Sequence, residues 1–354
     1  MQPPKFELIK TAECGATCFS LDRQLAESIA KRHVLLLDTS AWIRLAESKD
    51  EISARILKKA LQLKDAEKIF CPLTPATIWE LRKQCGRSLL QVAQTMEVLS
   101  ENVTFRSPAQ LYEFEIESFL NYIRTGLFKP LSIEQKFGPL LSYIAPGYRL
   151  VEPATGEAPS YFRSLTHSLV NNIRLTTLIQ MLGDHSQPSF PKGQDIVATR
   201  KKRRDLAGNS IDRARRIETE YVAQEIVLPI LNRQRSCLEI EEQLRIVTRM
   251  QELPKSRRYG SAIEHILRFA PALSSFIEVQ TVSGLDVNRL DSQNDFFDCD
   301  LLVYALSYVG TFCAIDRWVA SLVSLSKSGS YPAYYAFAGN LESLEQHLNS
   351  IEKC

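Results

Sequence analysis

The sequence predicts an α/β fold in which a parallel sheet flanked by helices is split by an α-helical insertion. Short apolar runs alternate with helix-like stretches early in the chain, and the same alternation returns near its end. Between them the strand-like runs stop and the pattern becomes helical. We therefore expect an N-terminal extension over 1–32, a first sheet part over 33–107, the helical insertion over 108–272 and a second sheet part over 273–354.

The composition is that of an ordinary globular protein. The chain has 354 residues, of which 45% are hydrophobic and 24% charged, which is enough for a large core. No apolar run reaches the ~20 residues of a membrane span, and the N-terminus lacks the apolar core of a signal peptide. These features predict a cytoplasmic protein with no membrane partner. Cys71, Cys299 and Cys313 fall in apolar runs and are expected in the core.

The first sheet part shows the clearest element boundaries. Val34–Leu37 is short and fully apolar, which is typical of a buried parallel strand. Thr74 followed by Pro75 is a strong helix start, because proline suits the first helical position and threonine suits the cap. The expected elements are a helix at 22–31, a strand at 34–38, helices at 41–47 (capped by Ser40) and 51–64, a strand at 69–73, helices from 74 and at 88–100, and a strand at 103–106.

The rest of the chain is expected to be helical up to about residue 272, and the insertion should form a lid or side lobe over the active edge of the sheet. Its helices are predicted at 111–123, 161–182, 207–231 and 238–252. The strand–helix pattern resumes with a strand at 275–282, an acidic helix at 295–309, strands at 311–315 and 333–337, and a helix from 340.

Carboxylates stand where these elements meet. Asp38 ends the first strand, Glu80 lies in the second turn of the helix that follows Pro75, and Asp316 follows the strand at 311–315. Asp295 and Asp298 open the acidic helix, three residues apart and on one face of it. Carboxylates at the ends of parallel strands repel one another unless a hard cation joins them. The sequence therefore predicts an Mg²⁺ or Mn²⁺ site with ligands Asp38, Glu80, Asp298 and Asp316, in which Asp295 assists catalysis.

Each acid also has a simpler interpretation. Asp38 and Asp316 suit helix caps, and an acidic first turn is favoured by the helix dipole whatever its function. Glu80 also suits a solvent-exposed position on an amphipathic helix. Asp300 lies about 140° from Asp295 around a helix of ~3.6 residues per turn, so it is expected to face solvent.

Charge is unevenly distributed along the chain. Residues 192–216 hold nine Lys and Arg against three Asp, whereas residues 284–300 hold five Asp against one Arg. A basic band beside an acidic metal pocket suits a phosphodiester substrate, although a basic run is often only a solvated face. The predicted substrate contacts are Thr39, Ser40, Arg200, Lys201, Lys202, Arg203 and Arg204.

Three groups of residues resemble the motifs of the PIN-domain nucleases, a family that includes toxin ribonucleases of bacterial toxin–antitoxin pairs. They are Leu37-Asp38-Thr39-Ser40-Ala41-Trp42, Thr74-Pro75…Glu80-Leu81 and Asp298…Ala305…Gly310…Asp316, within roughly residues 33–105 and 275–340. The resemblance implies a PIN-like domain, an Mg²⁺- or Mn²⁺-dependent ribonuclease with DNA as the alternative substrate, and a role as a toxin or defence effector. A regulatory protein or a second copy of the chain would be its partner.

Two departures from the family keep other functions open. The family often has Thr or Ser two residues before the last acid, where this chain has Ala314, and 215 positions separate Glu80 from Asp295. A catalytically weak PIN-like module that binds RNA or protein is therefore one alternative. A phosphatase is another, although it usually needs Asp-x-Asp after the first strand, and Asp38 is followed by Thr39-Ser40.

Overall fold

The computed structural model describes residues 6–10, 17–81, 87–140, 170–182, 201–208, 210–236, 238–252, 263–285, 293–327 and 336–353. The elements of its first half are β1 (Phe6–Lys10), β2 (Thr17–Leu21), α1 (Arg23–Ala30), β3 (His33–Leu37), α2 (Thr39–Glu47), α3 (Glu51–Asp65), β4 (Ile69–Phe70), α4 (Pro75–Leu81), α5 (Arg87–Ser100), β5 (Val103–Phe105), α6 (Pro108–Thr125), α7 (Ile133–Lys136) and β6 (Phe137–Pro139).

The second half is mostly helical. Its elements are α8 (Leu175–Leu182), α9 (Ile211–Val222), a π-helical turn (Ala223–Val227), α10 (Leu228–Ser236), α11 (Ile240–Glu252), α12 (Ile263–Phe269), α13 (Pro271–Leu285), α14 (Gln293–Tyr308), β7 (Thr311–Cys313), α15 (Arg317–Lys327), β8 (Ala336–Ala338) and α16 (Leu341–Lys353). Residues 201–207 are also helical.

A parallel sheet with the order β4-β3-β7-β8 forms the centre of this mixed α/β fold. A parallel bridge between Leu73 and Thr104 adds β5 beside β4. The chain thus builds outward from β3 in one direction and then returns to the other side of β3 with β7 and β8. The carboxyl ends of β3 and β7 lie where this order reverses, which is where open α/β sheets bind ligands.

Alternate residues of β3 face the two helical layers that cover the sheet. Leu36 joins one buried apolar core, which also contains Phe119 of α6 and Leu273 of α13. Leu35 and Leu37 join the opposite core, together with Trp42 of α2. Burying a side chain of this size stabilises the fold by roughly 1.5–3 kcal/mol, so both faces hold the central strand in register.

The sheet flanked by helices was predicted correctly, as was the helix start at Thr74-Pro75. The backbone N–H of Thr77 donates to Thr74 Oγ1 (3.0 Å), so Thr74 supports the first turn of α4 as expected. The three cysteines predicted in the core are buried there and carry free thiols. No helix in the described part of the chain has the length and apolar character needed to span a bilayer.

Several element predictions differ from the structure: β6 pairs with β5 inside the segment that was expected to be helical, and the helix expected at 161–182 is interrupted at residues 173–174. The strand expected at 275–282 is part of α13, because this helix is buried on most of its surface and its apolar β-branched residues imitate a strand. The expected helix at 207–231 begins only at Ile211, where Ser210 caps it. In the N-terminal extension, β1 and β2 form an antiparallel pair that was not predicted.

The insertion contributes to the cores on both faces of the sheet. Buried residues of α6, α11 and α12 belong to the same apolar cluster as Leu36, Phe70 and Phe312 of the strands, whereas Leu175 and Leu178 of α8 belong to the opposite core. These helices are therefore packed on the sheet faces, and their use as a lid over the active edge stays a prediction. The four segment boundaries also stay predictions. Residues 161–169 and 333–335, which belong to a predicted helix and strand, lie outside the described residues.

Candidate functional site

Asp38 joins the ends of the two strands at the point where the sheet order reverses. It is buried, and its Oδ1 accepts the backbone N–H of Ala41 (2.6 Å), which caps α2. Its Oδ2 accepts the backbone N–H groups of Ile315 (3.1 Å) and Asp316 (3.4 Å), just beyond β7. The predicted cap is therefore real, but it begins α2 at Thr39 and belongs to Asp38, not to Ser40. The contacts of Oδ2 go beyond what capping requires.

The surroundings of Asp38 oppose its ionisation. Burial raises the pKa of this carboxyl to about 6, although its three backbone donors act in the opposite direction. The negative charge of Asp316 raises the pKa further. A buried acid with a raised pKa and a second acid beside it, at a strand end, is a typical feature of functional sites.

Glu80 is fixed beside the start of α2 by a threonine. The Thr39 hydroxyl donates a short hydrogen bond to Glu80 Oε2, and both side chains are partly buried. This contact joins α2 to α4 on the same side of the sheet as Asp38. Glu80 is therefore not a freely solvated helix residue. Ser40 is exposed next to this contact, and a substrate role for Thr39 and Ser40 stays a prediction.

Asp316 is an exposed helix cap. Its Oδ1 accepts the backbone N–H groups of Trp318 (2.7 Å) and Val319 (3.2 Å) at the start of α15. The carboxylate thus serves its own helix, while its backbone N–H binds Asp38. Ala314, which stands where the PIN family often has a hydroxyl, is buried between these strand ends.

The acids of α14 lie on a helix that packs against α4. Asp295 is buried and Asp298 is half-buried. Asp300 was expected to face solvent but is half-buried, and burial raises the pKa of its carboxyl to about 7. The angular argument assumed one solvated face, whereas both α13 and α4 pack against α14.

Carboxylate oxygens are suitable ligands for a hard cation, but these side chains do not form a set of ligands around one point. Among the described residues, no three His, Cys, Asp or Glu side chains are grouped closely enough to hold a metal ion. One reason is that the carboxylate of Asp316 is turned towards α15. Convergence of Asp38, Glu80, Asp298 and Asp316 on one cation therefore stays a prediction, and it requires side-chain rearrangement.

Part of the basic run has partners within the protein, and its role in substrate binding stays a prediction. Arg203 donates to Glu218 (2.8 Å) and lies 3.9 Å from the ring centre of Tyr221, while Arg204 Nε donates to the carbonyl of Gly284 (2.6 Å). These contacts fasten the helical residues 201–207 to α9 and α13. Lys201 and Lys202, which we call the lysine pair, are exposed, and Arg200 lies outside the described residues.

A buried glutamate outside this site was missed from the sequence. Glu115 of α6 is fully buried, and it accepts the backbone N–H groups of Ala272 (2.7 Å) and Leu273 (3.2 Å) at the start of α13. The Tyr308 hydroxyl also donates to it through a short hydrogen bond. Its position could have identified it, because Glu115 interrupts an apolar helix stripe four residues after Leu111.

Comparison of the chain with protein-family models, with curated proteins and with solved structures gave no match in any of the three. The class that the structure defines is therefore a mixed α/β protein with a parallel sheet and a strand-end acid at its reversal point.

Proposed function

We propose that this protein is an Mg²⁺- or Mn²⁺-dependent nuclease that hydrolyses phosphodiester bonds, with RNA as the preferred substrate class. The observation that supports this most is Asp38, a buried carboxyl with a raised pKa that bridges two strand ends at the reversal point of the sheet. The preference for RNA comes from the resemblance to PIN-domain nucleases, as does a role as a toxin or defence effector.

In this proposal the protein holds a cation with carboxylates and needs no nucleophile of its own. Asp38 and Glu80 are already oriented, by backbone N–H groups and by Thr39, while Asp298 and Asp316 complete the ligand set after rearrangement. Asp295 assists from one turn before Asp298. A divalent cation held there would supply a water of lowered pKa and stabilise charge on the scissile phosphate. It would also relieve the repulsion between Asp38 and Asp316, which favours binding.

The test is cleavage of mixed RNA and DNA substrates by the purified chain with Mn²⁺, with Mg²⁺ or with EDTA. We expect RNA cleavage with either cation and none with EDTA. Asp38→Asn should lose more than about 100-fold in rate, because losing even a second-shell partner of a metal costs ~10–100-fold. Asp50→Asn is the matched control, since Asp50 caps α3 in the same way (2.7 Å to the N–H of Ser53) and lies in exposed surroundings. Equal losses in both variants would refute the catalytic role of Asp38.

A second function is favoured by the helix-capping bonds of Asp38 and Asp316 at the starts of α2 and α15. In this alternative the protein is a catalytically weak module that binds RNA or a partner protein, and the carboxylates serve as caps. It predicts RNA binding, measured by fluorescence anisotropy, that is unchanged by EDTA and by Asp38→Asn. Cation-dependent cleavage by the wild type would exclude this alternative.

A further inference from the structure

A small pocket lies between the helical residues 201–207, α9 and the end of α13. Its volume is about 330 Å³ when its open mouth is included, which is at the lower end of the ~300–1,000 Å³ of ligand sites. Its wall combines apolar side chains with the charged side chains of Arg203, Arg204 and Glu218. A space of this size suits one compact charged group, while the remainder of a larger ligand stays outside.

Arg203 is held in the pocket wall by a single side-chain hydrogen bond within the described part of the chain. Its Nη1 donates to Glu218 (2.8 Å), and its guanidinium lies 3.9 Å from the ring centre of Tyr221. A guanidinium has five N–H donors, all in one plane, so the tyrosine ring covers a face and leaves the other donors in that plane. The side chain is only 20% exposed. Arg203 is therefore ordered before a ligand arrives, which lowers the entropy cost of binding.

The charge around the pocket favours an anion. Residues 201–205 carry four positive side chains and one carboxylate, and Glu218 adds a second carboxylate. A guanidinium can donate two parallel N–H bonds to a phosphate or to a carboxylate. A terminal phosphate carries about 1.5 to 2 negative charges at neutral pH, whereas a carboxylate carries only one. Because Glu218 already offsets one positive charge, the more highly charged terminal phosphate is the better fit.

We propose that this pocket binds a terminal phosphate group, which Arg203 contacts through its in-plane N–H groups. Two sources share this chemistry: a free phosphate-bearing small molecule and the phosphorylated end of an RNA chain. The site differs from the lysine pair, whose predicted contacts are with backbone phosphates. The inference goes beyond the proposed nuclease activity, because phosphate binding in this pocket requires neither Asp38 nor a divalent cation.

Two substitutions change the pocket in opposite directions. Arg203→Gln replaces the guanidinium by a neutral amide, so the positive charge and the paired donors are lost. Glu218→Gln removes the negative charge that competes with the ligand, while its amide oxygen can still accept a bond from Arg203. The matched controls are Arg216→Gln and Glu220→Gln, because both residues are exposed on α9, lie outside the pocket wall and change the net charge by the same amounts.

The experiment measures the dissociation constant of inorganic phosphate for the full chain by isothermal titration calorimetry in EDTA, with thermal melting as a check on folding. We expect Arg203→Gln to weaken binding by about 10-fold or more, because it loses hydrogen bonds between charged groups. Glu218→Gln should tighten binding by at least about 5-fold, because it removes a nearby like charge. Both controls should stay within about 2-fold of the wild type, because salt screens exposed charges.

A second measurement identifies the source of the phosphate. Fluorescence anisotropy in EDTA compares the affinity for single-stranded RNA with a 5′-phosphate and with a 5′-hydroxyl, each labelled at its 3′ end. A preference for the 5′-phosphate that Arg203→Gln abolishes supports the inference and identifies an RNA end. Binding of inorganic phosphate with no such preference supports the inference and identifies a small molecule.

The outcomes that overturn the inference are equally direct. A wild type that does not bind inorganic phosphate overturns it, and so does a dissociation constant that neither Arg203→Gln nor Glu218→Gln changes. If Arg203→Gln does not fold, an unchanged affinity in Glu218→Gln alone overturns the inference. A chain that binds phosphate in this way but cleaves no RNA with Mn²⁺ or Mg²⁺ would overturn the proposed nuclease activity and leave the phosphate site in place.

Discussion

Replacing Glu115 with glutamine should change how the stability of the protein depends on pH. In the folded protein, burial raises the pKa of the Glu115 carboxyl from an ordinary value of 4.5 to about 7. The folded state therefore holds its proton over a pH range in which the unfolded chain releases it. The contribution of Glu115 to the free energy of unfolding is therefore fully present below pH 4.5, and it is lost as the pH rises through 7.

The magnitude follows from the shift and from the geometry of the substitution. Raising a pKa from 4.5 to about 7 makes folding less favourable by about 3 kcal/mol at high pH, at ~1.36 kcal/mol per pKa unit. The glutamine carbonyl can keep the bonds from Ala272 and Tyr308, whereas its NH₂ group loses the bond from Leu273. That loss is independent of pH and costs about 1 kcal/mol. Glu115→Gln should thus be less stable at pH 4 and about 2 kcal/mol more stable at pH 8.

The assay is urea denaturation at intervals between pH 4 and pH 8, with the free energy of unfolding of both proteins compared at each pH. The difference between the two proteins cancels the titration of other groups. The control is Glu113→Gln on the same helix, which removes a surface ion pair with Arg233 (2.6 Å). Such a pair contributes at most about 1 kcal/mol. We therefore expect no pH at which Glu113→Gln changes from the less stable to the more stable of the two proteins.

Parallel stability curves for Glu115→Gln and the wild type would refute this reasoning. Carboxylates that accept several N–H bonds can stay ionised in a buried position, and Glu115 has two backbone donors and a tyrosine hydroxyl. Parallel curves would mean that these three donors, and not burial, determine the charge of Glu115.

The remaining predictions concern one close contact, one buried ion pair and the lysine pair. Gly310→Ala should destabilise the fold by ~1–3 kcal/mol, because a Cβ there would lie 2.6 Å from Cε1 of His33, and the double variant with His33→Ala should recover most of the loss in thermal melting. Glu278→Ala should cost up to ~3–5 kcal/mol, because the buried Arg215 loses both of its bonds to Glu278 (3.0 Å each) while keeping its longer contact with the exposed Asp212 (3.3 Å). The double variant Arg215→Met with Glu278→Leu should recover stability. If the lysine pair contacts RNA phosphates, replacing both lysines with alanine should lower the slope of log K against log salt by about 0.7 per contact, and an unchanged slope would refute such contacts.

The parts of the fold that were predictable depend on local sequence. The apolar run before Asp38 and the Thr74-Pro75 pair determine a strand and a helix start through their own residues. The segment 275–282 was not predictable in this way. Its apolar and β-branched residues suit a strand, but α13 is covered by α6, α9 and α14, and tertiary packing decides between a buried helix and a buried strand.

The candidate site was likewise predictable only where local sequence determines its residues. The strand-end rule locates Asp38 and Asp316 correctly at neighbouring strand ends. The bond from Thr39 to Glu80 joins helices 41 positions apart in the chain, and no local pattern encodes it. Arg203 and Arg204 show a second limit: the run of charges does not reveal that these residues bond to Glu218 and to the carbonyl of Gly284, and their contact with substrate stays a prediction.

Asp38 and Asp50 show why capping alone does not account for the site. Both residues cap a helix by accepting a backbone N–H three positions later. Hydrogen bonds lower the pKa of the exposed Asp50, whereas burial raises that of Asp38 to about 6. The same local motif therefore stabilises the charged form in one place and opposes it in the other. Serine or asparagine would cap α2 without burying a charge. This contrast supports the proposed cation at Asp38, and the cleavage assay with Mn²⁺, with Mg²⁺ or with EDTA tests that proposal.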